Sequence, residues 1–73
     1  MATQTQNEVR ADRTYRALLI YMQIAYSHEE EVETAAVDLM ADLLHLLDLQ
    51  YGITAEDAHA MAWEHFIAEK EGE

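Results

Sequence analysis

The sequence predicts an all-α fold of three helices, and three observations carry that prediction. Proline is absent and the two glycines stand at Gly52 and Gly72, so long segments contain no helix breaker. Apolar residues recur at helical spacing over three segments, with no strand pattern anywhere. Each segment follows a capping-type sequence, a hydroxyl residue with an acid three positions later: Thr5 with Glu8, Ser27 with Glu30, Thr54 with Asp57.

The first capping pair predicts a helix over 8–26. On it Ala11, Tyr15, Leu18, Leu19, Met22, Ala25 and Tyr26 fall on one side. Ile20 and Ile24 project from the opposite side, with Tyr21 at its edge. Two β-branched residues one turn apart on an outer face mark an interface more often than an accident, so Ile20, Ile24 and Tyr21 are the candidate dimer contact. The Ser27 pair predicts the central helix over 28–51, with Glu29, Glu30 and Glu31 in its first turn, where the helix dipole favours acids.

Val32, Ala36, Leu39, Met40, Leu43, Leu44, Leu46 and Leu47 cover about half of the central helix, wider than the roughly 100° stripe that one packing layer needs. This helix is therefore expected to have more than one neighbour. Gly52 is placed to end it with a left-handed residue. Thr54 then starts a third helix over 55–69, with Ile53 and Ala58 positioned as a hydrophobic staple. Small residues Ala55, Ala58 and Ala62 permit close approach, and Trp63, Phe66 and Ile67 supply bulk; Tyr15, Trp63 and Phe66 are expected in the core. The short 52–54 connection predicts an antiparallel hairpin of the second and third helices. Residues 1–6 are expected to be disordered, 7–69 to form one domain, and 70–73 to be a charged tail.

Seventy-three residues form one domain of the size whose core contributes about 3–5 kcal/mol net. No cysteine is present, so disulfides and thiolate metal sites are excluded, and a homodimer is the expected reinforcement. The longest mainly apolar stretch, 17–24, is too short to span a bilayer, and no signal-type sequence opens the chain; a soluble cytoplasmic protein is expected. The net charge of −11 is unevenly placed: residues 1–27 sum to +1 and residues 28–73 to −12. Such a surface disfavours nucleic acid and anionic membranes and favours a basic protein partner.

Asp38, Asp42 and His45 share one strip of the central helix, and with Glu31 they form the candidate partner-binding surface. Asp42-x-x-His45 and Glu56-x-x-His59 have the carboxylate-x-x-His spacing of di-iron bundles. Asp38, Asp42 and His45 point away from the leucine face, however, so they are expected to be solvated, and no metal or cofactor is expected. His65, at the edge of the third helix, is expected within a turn of the level of Asp42. Nucleophilic catalysis has no foothold, because Cys is absent and the only serine is Ser27. No catalytic residue is assigned.

Asp38-Leu39-x-x-Asp42-Leu43-x-His45, followed by Ala62-x-x-His65-Phe66-x-x-Glu69, resembles small acidic helical proteins encoded by phages and prophages. That resemblance implies an accessory protein of a mobile element and names no activity. Asp42, Leu43, Leu44, Leu46, Leu47, Gly52 and Ile53 also resemble half of the metal-binding pattern of the all-α NTP pyrophosphatases of the MazG type. The likeness implies a metal-dependent nucleotide hydrolase, although Leu39 holds the paired Glu position and the first helix has no Glu-x-x-Glu motif. Together these readings favour a non-enzymatic acidic binding protein that engages a basic host or defence protein in the cytoplasm, as an anti-CRISPR or anti-restriction inhibitor does. The nucleotide hydrolase and a small virion-associated oligomer are the alternatives.

Overall fold

The computed structural model describes residues 4–72. Three helices follow in order, α1 (Gln6–Ala25), α2 (Val32–Tyr51) and α3 (Ala55–Glu71), with no strand among the described residues. The all-α class is as the sequence predicts. None of the helices is long and apolar enough to cross a membrane.

Two of the three expected caps form. The Thr5 hydroxyl accepts the Glu8 N–H at 3.1 Å, and the Thr54 hydroxyl accepts the Asp57 N–H at 3.2 Å. Thr5 therefore starts α1 at Gln6, two residues before the expected start at Glu8. Residues 1–3 and 73, part of the expected termini, lie outside the described residues. At the other end α3 continues two residues beyond the expected Glu69.

The third cap does not form. α1 stops at Ala25, Tyr26 turns extended (φ −121°, ψ 143°), and α2 begins only at Val32 after Glu31, whose side chain makes no capping bond. Glu29, Glu30 and Glu31 thus lie in the connection rather than in a helical turn, and Glu33 is the acid of the first turn of α2. The Glu30 carboxylate instead accepts the Glu31 N–H and stands 3.7 Å from the His28 ring nitrogen.

Gly52 ends α2 in the left-handed region, at φ 67°. Its N–H donates to the Asp48 carbonyl and the next N–H, of Ile53, to the Leu47 carbonyl, so two terminal acceptors are satisfied. A side chain at 52 would meet open space, which leaves backbone strain as its whole cost. Gly52→Val is expected to destabilise the fold by about 1–2 kcal/mol, and Gly52→Asn by less because Asn tolerates this region. Thermal melts followed by circular dichroism check the order; equal melting temperatures for Val and Asn would contradict it.

α2 packs against both other helices, as expected, although α1 meets it along the Asp38 and Asp42 edge rather than on the apolar arc. Yet only Leu18, Ala35 and Ala58 are buried among the described residues. The molecule is a slab of 41 × 32 × 16 Å with a radius of gyration of 14.3 Å, against about 11 Å for a compact domain of this length. Tyr15, Trp63 and Phe66, expected in the core, are each at least half exposed. A flat arrangement gives each helix too few neighbours to cover them.

Candidate functional site

Two tyrosines of the first helix and its exit meet two aspartates of α2. The Tyr21 hydroxyl donates to the Asp42 carboxylate and the Tyr26 hydroxyl to that of Asp38. Numbering rises along one side of this seam and falls along the other, so α1 and α2 run in opposite directions here. The two rings meet edge to face, with centroids 6.2 Å apart, a favourable arrangement of aromatic quadrupoles. Four residues thus form a closed polar seam between helices.

Tyr26 is the extended residue that closes α1, and from there its phenol reaches Asp38. Donating its hydroxyl hydrogen to a carboxylate lowers each phenol's tendency to ionise. Tyr21 is pushed up from 10.0 to about 12, chiefly by its bond to Asp42 and then by desolvation and the nearby negative charge. Tyr26 is raised for the same reasons, with Asp38 as the leading cause. At neutral pH these phenols are held as donors, and they act as a clamp rather than as bases.

Each predicted site residue now has a place. Asp38 is half-buried and Asp42 exposed, each with a tyrosine donor, so the two lie along the α1 contact and not on a purely solvated strip. His45 and Glu31 are exposed. His65 is exposed too, and the hydrogen-bond partner of Asp42 is Tyr21. Ile20 and Ile24 are exposed, Ile24 by 81%, on the side of α1 turned away from α2, while half-buried Tyr21 faces Asp42. The structure therefore separates Tyr21 from the two isoleucines with which the sequence grouped it.

A second polar contact joins the ends of the chain and has no sequence signature. The Arg10 guanidinium stands 2.6 Å from the Glu69 carboxylate, and the Asn7 side chain donates to the Glu69 backbone carbonyl at 3.0 Å. Asn7 also accepts from Arg10 at 2.6 Å. The start of α1 is thereby fastened to the end of α3. Because the ion pair is partly exposed, it contributes at most about 1 kcal/mol.

The largest departure from a self-sufficient fold is apolar. Met40, Leu43, Leu46, Met61, Trp63 and Phe66 all stand open to solvent on α2 and α3. Between these helices Met40, His59, Ala62, Trp63 and Phe66 line a cleft of about 360 Å³, and the Trp63 and Phe66 rings stack at 5.7 Å. Phe66 also borders the opening between α3 and α1, which Asn7, Arg10, Glu69 and Lys70 line with Ala11 and Thr14, and the Lys70 ammonium lies 5.8 Å from the Phe66 ring centre, so the apolar surface ends there.

No group of three or more His, Cys, Asp or Glu side chains arranged for a metal ion occurs among the described residues. Asp42, which the pyrophosphatase resemblance would assign to magnesium, has Tyr21 on one of its oxygens. No protein-family model, curated protein or solved structure matches the chain. Its own surface is therefore the basis for a functional reading.

Proposed function

We propose that the protein is a non-enzymatic, acidic protein-binding module that works as a homo-oligomer and engages a basic site on another protein. The observation that carries this reading is the combination of uncovered apolar side chains with a charge of −11 on one small chain. A surface of the first kind calls for association, and a surface of the second kind selects the sign of the partner.

Carboxylates remain available for that role after the tyrosines are accounted for. Glu31, Glu33, Asp48, Glu56, Asp57 and Glu64 are all exposed, and Glu31 and His45, with the exposed Asp42 at the margin where Tyr21 holds one of its oxygens, mark the surface on which a basic partner would dock. Asp38 serves mainly to hold Tyr26. A dense display of carboxylates presents negative charge where a nucleic-acid-binding protein expects phosphates, which supports an inhibitor of that class of protein. The resemblance to small acidic phage proteins supplies a setting, a phage accessory protein acting on a host or defence protein in the host cytoplasm.

Affinity capture with the tagged chain tests the proposal. Bound protein is expected to be released as salt rises from about 0.1 M towards 1 M, where the screening length falls from about 10 Å to about 3 Å. Competing duplex DNA is expected to release it as well. A partner retained through both treatments would rule out the electrostatic mode of binding.

A further inference from the structure

We infer that the apolar surface of α2 and α3 around Met40, Leu43, Trp63 and Phe66 is where a second copy of this chain sits, with the same patch on both copies facing each other. The inference rests on the proposed oligomeric state and deepens it by naming the face and its occupant.

Area comes first. The chain exposes 6326 Å², whereas a compact monomer of its 8.4 kDa exposes about 4,600 Å². The excess of about 1,700 Å² is twice the roughly 800 Å² that each partner contributes to a stable interface of standard size, and it lies in the range of obligate pairs. The slab shape agrees: a radius of gyration of 14.3 Å suits a compact body of roughly 140 residues, close to two chains.

Occupancy by the same chain follows from stability. With Leu18, Ala35 and Ala58 as the buried residues and none of the large side chains fully enclosed among the described residues, the lone chain lacks the core that a domain needs. Whatever covers the open face must be present whenever the chain is folded. A second copy meets that requirement at every stage of expression, and a heterologous partner does not.

Composition selects the face. Met, Trp and Phe are the residues enriched at the centres of interfaces, and a stacked Trp63–Phe66 pair beside an open cleft is a ready anchor. Val32, Leu39, Leu43 and Leu46 follow the spacing of seven, four and three that makes a helix-to-helix seam, and no acid interrupts that line. Two chains of charge −11 can approach along it with their carboxylates outside. Ile20 and Ile24 offer less, because they share the outer side of α1 with Arg13 and Arg16.

Trp63 is the only tryptophan, so its fluorescence reports on this face alone. In the lone chain it is 56% exposed. Light scattering on the wild-type chain is expected to give twice the monomer mass, with Trp63 emission protected from iodide. Leu43→Glu should lower the mass and expose the tryptophan, and Ile24→Glu should leave both unchanged. A buried-face charge at Leu43 can act by unfolding the chain as well as by splitting the dimer, so Leu43→Cys provides a second measurement. The wild type has no cysteine, and a disulfide-linked dimer should form readily at 43 and slowly in Ile24→Cys. A folded wild-type monomer, or a dimer with freely quenched Trp63, or dissociation by Ile24→Glu alone, would overturn the inference. A folded wild-type monomer would also remove the homo-oligomer from the proposed function, whereas the other two outcomes would leave the oligomer standing and move only its face; none of the three would disturb salt-sensitive capture of a basic protein.

Discussion

Leu18→Ala is expected to remove most of the cooperative thermal transition. Leu18 is 5% exposed and is the one large side chain that the chain buries by itself among the described residues. It precedes Tyr21 by one turn, so it lies on the side of α1 that α2 covers. Truncating a buried leucine costs about 2–5 kcal/mol, the transfer of the lost carbons plus the cavity they leave. A domain of this size has only about 3–5 kcal/mol to lose. At about 4–8 °C per kcal/mol, the melting temperature should fall by more than about 10 °C at matched protein concentration. Ile24→Ala, at a site that is 81% exposed, should change stability by no more than about 0.5 kcal/mol. Equal melting temperatures for the two variants would mean that the core lies elsewhere.

The helices were legible because local chemistry decides them. Thr5 and Thr54 each cap the backbone that their sequence position implies, and Gly52 takes the left-handed conformation that ends α2. Ser27 was misleading for a tertiary reason. Its spacing to Glu30 satisfies the local rule, but α1 has already ended at Ala25, and the phenol of the extended Tyr26 takes its carboxylate partner from α2. A wheel drawn on one helix cannot contain that partner.

The same limit applies to the candidate site. The helical wheel puts Asp38 and Asp42 opposite the leucine arc; Asp42 is exposed there, while Asp38 is half-buried, because α1 lies along this acidic edge through Tyr21 and Tyr26. Conversely, Trp63 and Phe66 have the right spacing for a core and still stand open, because burial depends on how many neighbours a helix has. A tyrosine pair five residues apart facing an Asp pair four residues apart is the signal that could have revealed the seam. It has no fixed sequence distance, and the Arg10 to Glu69 contact spans nearly the whole chain.

Raising the pH is expected to open the seam between α1 and α2. The folded chain holds the Tyr21 proton up to about 12, and the ordinary value is 10.0; Tyr26 is displaced in the same direction. A raised value in the folded state means that folding favours the protonated phenol. The resulting stabilisation is therefore fully present below about pH 10 and is lost as pH rises through the folded-state value. Each tyrosinate formed would also face a carboxylate, so ionisation replaces a donated hydrogen bond with like-charge repulsion. The Tyr21→Phe, Tyr26→Phe double variant lacks both hydroxyls and should be less stable than wild type at neutral pH. Its deficit should shrink as pH climbs from about 9 to about 12, because the wild type loses over that range what the variant never had. Urea unfolding across this range measures the difference, and tyrosinate absorbance should show two late-ionising phenols in the wild type that vanish in the variant. If the deficit stays constant from neutral to strongly alkaline pH, Tyr21 and Tyr26 do not hold the two helices together through Asp42 and Asp38.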